Sequence, residues 1–351
     1  MSLPLPEAIV AALHEGVDAQ ARAETFQGYL PECGAPFLRD AIARQYGERG
    51  VALDSGEVFV SSGASDDLGD ILDLFDASSA ALVVEPAYPA YVDANVIAGR
   101  RIVRLVSGKD DGFAPWPDPA AEADLIYLCS PGNPTGASFT RDKLKAWVDF
   151  ANERGTIILF DAAYEAFISD TDVPHSIFEM EGARTCAIEI CSLSKTAGFT
   201  GTRLGYPVIP FDLARGGMRV ADMWVRNRTT KTNGVSFIVQ RGAAAVFTPE
   251  GRRQLKRNIE VYKGNARVIM EALDAVGVWY CGGMNAPYVW MECPRGMGSW
   301  EFFDYLLENA QVVGTPGVGF GPCGEGYFRL SSFGSPDDTA EAMGRMRRLI
   351  G

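Results

Sequence analysis

The sequence predicts an α/β fold in which a mostly parallel sheet is flanked by helices and is joined to a smaller α+β lobe. Apolar runs of strand length alternate with helical patterns from residue 57 to 209, the rhythm that builds a parallel sheet with helices on both faces. Past Pro210 the rhythm fades into one long amphipathic pattern and then short strands mixed with helices. At 351 residues the chain is long enough for two packed lobes.

The elements follow in order. Residues 6–19 set Ile9, Val10, Leu13 and Val17 at helical spacing. A Gly and Pro loop at 26–34 carries Tyr29 and Glu32, and a helix follows over 37–49. Residues 57–62 read as a buried strand, after which Gly63-Ala64-Ser65 turns into a helix reaching about residue 75. Small residues between a strand and a helix N-terminus offer backbone N–H groups to an anion, although many α/β turns look alike for structural reasons alone. Strand 80–84 ends at Glu85-Pro86-Ala87-Tyr88, which holds Tyr88 at the carboxyl edge of the sheet, where open α/β sheets bind ligands. There Tyr88 either stacks on a flat ring or packs in the core. A helix to about residue 98, a strand at 102–105 and a polar surface loop at 107–123 come next.

Strand 124–129 ends at Ser130-Pro131-Gly132-Asn133-Pro134, where Asn133 projects its amide into a cleft or shapes the turn. Helix 143–154 crosses to strand 156–160, which closes on Asp161 with Tyr164 three residues later. An acid at the end of a buried strand needs a cationic or N–H partner, or caps a helix. The run 186–190 stops at Cys191-Ser192-Leu193-Ser194-Lys195, and Arg203 follows eight residues after the lysine among glycines. Such a strand delivers a lysine into a pocket.

Beyond it, residues 224–233 carry Arg226, Arg228 and Lys231 beside Asn233, a helix covers 235–247, and 252–276 has helical spacing long enough to bridge two lobes. Helices at 300–309 and 337–349 flank an apolar strand that contains Arg329. A guanidinium there is costly unless paired, so Arg329 is expected to meet a carboxylate, from the protein or from a ligand. The expected division is an N-terminal helix at 1–25 belonging to the small lobe, a large lobe at 26–247 and a small lobe at 248–351.

Composition limits the chemistry. Lys and Arg number 32 against 45 Asp and Glu, and the net charge of −13 makes nucleic acid and anionic membranes unexpected partners. No apolar stretch reaches the roughly 18 residues of a membrane span, and no export signal is visible at the start. Seven cysteines without a C-x-x-C pair read as reduced thiols of a cytoplasmic protein. The two histidines, His14 and His175, are not clustered with Cys, Asp or Glu, so neither a metal site nor a Ser-His-Asp triad is expected.

A pocket lysine with an acid, an arginine and hydroxyls is what pyridoxal 5′-phosphate chemistry requires. The ordered series of the turn at Ala64 and Ser65, then Tyr88, Asn133, Asp161, Tyr164, Ser192, Lys195, Arg203 and Arg329 resembles the class I/II aminotransferases of fold type I along the whole chain. The resemblance implies a sheet of the seven-stranded type and a cofactor linked to Lys195, with Asp161 at its ring nitrogen. It further implies that Asn133 and Tyr164 hold the phenolic oxygen, that Ser192, Arg203 and the amides of Ala64 and Ser65 hold the phosphate, that Tyr88 stacks on the ring, and that Arg329 grips an α-carboxylate.

More narrowly, Phe160-Asp161-Ala162-Ala163-Tyr164-Glu165-Ala166-Phe167, Ser194-Lys195-Thr196-Ala197-Gly198-Phe199-Thr200-Gly201 and Met284-Asn285-Ala286-Pro287-Tyr288 are similar to the LL-diaminopimelate aminotransferases. So are Ser299-Trp300-Glu301-Phe302-Phe303 and Val312-Val313-Gly314-Thr315-Pro316-Gly317. That family moves an amino group from LL-diaminopimelate to 2-oxoglutarate, and the keto product closes to tetrahydrodipicolinate, a lysine precursor. The likeness implies a homodimer with shared sites, in which Tyr29 and Glu32 serve the neighbouring subunit and Asn233 lies near the distal end of the substrate.

The chain departs from the family at Ser65, where the family has a lysine, at Cys33, where it usually has glutamine, and at a start that enters directly at Pro4-Leu5-Pro6 without the family's longer N-terminal segment. Loss of the cation at Ser65 is expected to weaken dicarboxylate binding. Two other readings stay open: an aminotransferase of the same group with another amino donor, and a non-catalytic domain that senses the cofactor.

Overall fold

The computed structural model describes residues 1–351. Strands β1 (Ala81–Glu85), β2 (Ile102–Val106), β3 (Leu125–Cys129), β4 (Ile157–Asp161), β5 (Ala187–Ser192) and β6 (Gly205–Val208) form a sheet in the order β2-β1-β3-β4-β5-β6. The first five pair in parallel, and β6 runs antiparallel to β5. Successive strand residues point to opposite faces, and each face has its own core. Leu82, Ile126, Ile158 and Phe160 enter one with Trp147, whereas Val83, Tyr127, Leu159 and Ile190 enter the other with Tyr91 and Trp224. Burial on both faces is why the inner strands read as continuous apolar runs.

Residues 57–62 lie antiparallel beside β6, in the place of a seventh strand, but make only isolated bridges, Val58 to Val208 and Ser61 to Gly205. Ser61 and Gly205 exchange both backbone bonds (2.9 and 3.1 Å), and the Phe59 N–H donates to the Pro207 carbonyl at 3.0 Å. The return bond from residue 207 is impossible because proline has no N–H, so the ladder is interrupted there.

Helices α1 (Glu7–Gln20), α2 (Pro36–Glu48), α3 (Ala64–Asp70), α4 (Pro89–Ile97), α5 (Arg141–Arg154) and the single turn α6 (Leu193–Thr196) belong to this layered part. Ile9 of α1 lies in the first core with Leu38 and Ala243, while the Ser2 N–H donates to the Phe333 carbonyl (2.9 Å) and the Leu3 N–H to the Tyr262 hydroxyl (3.0 Å). The start of the chain therefore touches both the first core and the cluster of Tyr164, Tyr262 and Phe333. A small hairpin, β7 (Ala214–Arg215) with β8 (Met218–Arg219), leads into α7 (Val220–Lys231). Apolar spacing does not reveal α7: its buried stripe is Val220, Ala221, Trp224 and then Arg228, a cation where the period calls for an apolar residue.

After α8 (Phe237–Val246), helix α9 (Pro249–Asp274) runs for 26 residues; Pro249 opens it, and the Thr248 hydroxyl accepts the Gly251 N–H at 3.1 Å. It carries Leu255 into the first core and Ile269 and Leu273 into a third. That third core is completed by β9 (Tyr280–Gly282), β10 (Tyr288–Glu292), α10 (Ser299–Ala310), β11 (Thr315–Pro316), β12 (Tyr327–Ser331) and α11 (Pro336–Ile350), whose strands form an antiparallel sheet in the order β11-β12-β10-β9. No helix is long and apolar enough to cross a membrane.

Candidate active site

The carboxyl ends of β3, β4 and β5 open on a cavity of about 270 Å³ lined by Ala64, Ser65, Tyr88, Asn133, Asp161, Tyr164, Ser192, Lys195 and Arg203, with Tyr91, Ser194 and Thr200 among its other walls. Strand parity brings the acid there: Ile157, Leu159 and Asp161 share one face of β4, so Asp161 continues the apolar stripe into the cavity. It is buried, and it accepts the Tyr91 hydroxyl at 2.6 Å through Oδ2 and the Ala163 N–H at 3.0 Å through Oδ1. Burial pushes its carboxyl above the ordinary carboxylate range, and these two donors pull it back.

Lys195 stands on the turn α6, whose N-cap is the Ser192 hydroxyl accepting the Ser194 N–H at 3.2 Å. Its amine lies 5.5 Å from the centre of the Phe333 ring. Burial lowers its pKa, and the nearby Arg329 and Arg203 lower it further. Arg203 donates through Nη1 to the Ser194 hydroxyl (2.9 Å) and to the Thr200 carbonyl (3.4 Å), neither of them charged. The guanidinium passes Gly63 so closely that a Cβ at that residue would lie 2.5 Å from Nη2. Gly63 takes φ +134° there and opens α3, and the next two amides, of Ala64 and Ser65, have no hydrogen-bond acceptor in the chain.

The Asn133 amide oxygen accepts from Arg329 Nη1 at 2.6 Å, and Arg329 Nη2 donates to the Thr315 hydroxyl at 3.2 Å. The guanidinium lies between two rings, 4.4 Å from the centre of Tyr288 and 4.8 Å from that of Phe320, and its Nε has no partner. The carboxylate expected for Arg329 is therefore not supplied by the chain; an amide, a hydroxyl and two aromatic faces make the position tolerable. The Tyr164 and Tyr288 hydroxyls lie 3.0 Å apart, and burial raises both phenols, so they keep their protons.

Residues 1–346 match the family described as aminotransferase class I and II. The chain belongs to the class I and II aminotransferases. Among its relatives, the LL-diaminopimelate aminotransferase of Lachnospira eligens is 50% identical over 99% of this chain and 89% of that protein, and that of Bacteroides fragilis is 48% identical over 99% and 89%. The solved L,L-diaminopimelate aminotransferase from Chlamydomonas reinhardtii superposes with a TM-score of 0.94 at 39% identity, covering 99% of this chain and 88% of that one.

Aminotransferases of this family depend on pyridoxal 5′-phosphate, and the cavity of this aminotransferase fits that group. A phosphate needs N–H donors and a cation, and here two amides and Arg203 are uncommitted to any acid. A ring nitrogen needs a counter-charge, and Asp161 has no cationic partner.

Not every residue expected at the site reaches it. Tyr29 and Asn233 line a separate groove of about 490 Å³, and Tyr29 is 88% exposed. Glu32 lies beside Gly234, where a Cβ would come within 3.5 Å of its Cα, and is outside the Lys195 cavity. A trough of about 390 Å³, lined by Ser65, Arg228, Lys231, Gly234 and Val235, adjoins the cavity at Ser65 and the outer groove at Gly234. Arg228 is bound to Asp70 (2.7 Å) and Lys231 to Asp70 and Asp73, so the trough offers no free cation in place of the lysine missing at 65.

The sequence alone points to no role for Tyr91, Ser194 or Tyr288. Tyr91 and Ser194 carried a local signal, each three residues or fewer from a named site residue, whereas Tyr288 arrives from a different sheet.

Proposed function

We propose that this protein transfers the amino group of LL-diaminopimelate to 2-oxoglutarate with pyridoxal 5′-phosphate as its cofactor, giving tetrahydrodipicolinate and glutamate for lysine synthesis. The observation that carries the chemistry is a lysine amine with a depressed pKa sharing one cavity with Asp161 and the uncommitted Arg203. The substrate rests on the name shared by the relatives.

Bound pyridoxal phosphate supplies an aldehyde that reacts with amines and a protonated ring that takes up the electrons left when the amino acid Cα loses its proton. In this reading Arg203, Ser192 and the amides of Ala64 and Ser65 hold the phosphate, Tyr88 faces the ring, Asn133 and Tyr164 hold the phenolic oxygen, and Asp161 meets the ring nitrogen. Tyr91 and the Ala163 amide orient Asp161 and favour its ionised form, as a cationic N–H also does. The Lys195 amine, biased toward neutrality by burial and two arginines, takes the proton from Cα as a base and returns it as an acid. The Arg329 fork receives the α-carboxylate.

The assembly belongs to the same proposal: a homodimer in which Tyr29 and Glu32 reach the neighbour's cavity, supported by the exposure of Tyr29 and by the distance of both residues from the cavity of their own chain. A large lobe at 26–247, and a small one at 248–351 to which the N-terminal helix at 1–25 is assigned, suit opening and closing around this site. All seven cysteines are free thiols, which suits a reducing cytoplasm.

An amino-donor panel with 2-oxoglutarate tests the reading, with glutamate formation as the readout. LL-diaminopimelate is expected to be the fastest donor. A faster aromatic or monocarboxylic donor would reassign the substrate, and a protein that binds the cofactor but converts it to pyridoxamine phosphate with no donor would be a binding domain.

A further inference from the structure

We propose that Asp67 is a positioning residue for phosphate recognition: through Ser61 and Gly63 it fixes the turn whose free amides receive the anion. The proposal rests on the reading of that turn as the phosphate site. Asp67 lies on the inner side of α3, is 0% exposed, and accepts the Ser61 hydroxyl at 2.6 Å through Oδ2. The Ser61 oxygen in turn accepts the Gly63 N–H at 3.3 Å, and the N–H of Asp67 donates to the Gly63 carbonyl at 3.2 Å. The Gly63 N–H thus reaches Asp67 through Ser61, the Gly63 carbonyl accepts the N–H groups of both Asp66 (3.0 Å) and Asp67, and Ser61 is itself anchored to Gly205 by two backbone bonds.

This closure matters because Gly63 is the most mobile kind of link in the most demanding place. Its φ of +134° is open to few residues besides glycine, and its neighbour Arg203 leaves no room for a Cβ, so no side chain of its own can hold the turn. The Ala64 and Ser65 amides follow it directly, and their direction is set by whatever holds Gly63. Asp67 cannot itself bind the anion, being buried and acidic, and its Oδ1 has no partner. Arg228, whose charge acts on Asp67, is bonded to Asp70 instead. Burial raises the Asp67 carboxyl to about 8, with Asp66 and Asp70 adding to the rise and Ser61 and Arg228 opposing it, so at neutral pH it supports the turn mostly as the neutral acid. A fixed negative charge beneath a phosphate is thereby avoided.

The test compares affinities of the full chain, stripped of cofactor, for pyridoxal 5′-phosphate and for pyridoxal, which lacks the phosphate. Ser61→Ala and Asp67→Ala are expected to weaken pyridoxal phosphate about tenfold and leave pyridoxal unchanged, whereas Asp67→Asn, which keeps an acceptor for Ser61, stays within about threefold of the parent. If Asp67→Ala does not fold, Ser61→Ala and Asp67→Asn decide between them. A folded Ser61→Ala variant with parental affinity for pyridoxal phosphate overturns the proposal. So does an equal loss for both ligands, which marks a merely structural role, or a loss in Asp67→Asn as large as in Ser61→Ala. A parent chain that binds pyridoxal phosphate no better than pyridoxal instead refutes the phosphate site itself.

Discussion

In the proposed function, Ser65 is the residue expected to bear most on specificity. It is exposed where the Lys195 cavity meets the neighbouring trough, and the cations of that trough are already bound to Asp70 and Asp73. Ser65→Lys is therefore expected to lower the KM for LL-diaminopimelate by about fivefold with little change in kcat, a modest effect because the new charge is solvated. Steady-state kinetics check it, and an unchanged KM would refute this account of the departure.

Asp67 allows a second test at the same scale. Its carboxyl ionises near 3.8 when unfolded and is raised to about 8 by burial in the fold, so between those values the folded state holds the extra proton and stability falls as pH rises. Asp67→Asn removes that slope. Its melting temperature is expected to gain on the parent steadily from about pH 4 to about pH 8, as scanning calorimetry would show. At this scale the sequence was informative wherever chain order alone placed a side chain, as with Asp161 and Lys195 at the ends of adjacent strands. It gave Tyr288 a place in a motif but no role, because Tyr288 reaches Tyr164 only through the packing of two sheets.

Among the elements, the joint between α3 and β6 bears most on the site. Gly205 opens β6, and a Cβ there would lie 2.8 Å from the Ala64 nitrogen and 2.9 Å from the Gly63 Cα. Gly205→Ala must push the start of α3 off the sheet. We expect it to lower the melting temperature and to weaken pyridoxal phosphate more than pyridoxal, with ligand titration as the measure. The inner strands were legible because burial on both faces writes a continuous apolar run. Two elements were not: Pro207 interrupts the ladder beside residues 57–62, and Arg228 breaks the apolar period of α7. Each is a tertiary fact expressed at one residue, below the resolution of a periodic pattern.

For the whole molecule the sharpest question is whether one chain makes a complete site. Tyr29 stands out from the surface of the chain, while Lys195 is half-buried in its cavity. If sites are shared, mixing Lys195→Ala chains with Tyr29→Ala chains places both defects in one site of each mixed dimer and leaves the other intact. Equal amounts of the two inactive variants, unfolded and refolded together, should then recover about one quarter of parental activity, whereas self-contained sites recover none.

The bond from Arg329 to the Asn133 amide has a wider consequence, because one end follows β3 of the large sheet, the other lies on β12 of the small one, and the proposed function gives them different ligands. The guanidinium orients the Asn133 side chain through its amide oxygen, so a carboxylate that shifts the guanidinium also shifts what holds that amide, and the two binding events are coupled. Linkage makes that dependence mutual: whatever factor a bound carboxylate applies to the affinity for a group at Asn133, the group at Asn133 applies to the carboxylate. With Asn133 at the cofactor and Arg329 at the substrate, as proposed, this hydrogen bond of 2.6 Å is one route by which the two are coupled, and a double-mutant cycle across Asn133 and Arg329 would measure its share.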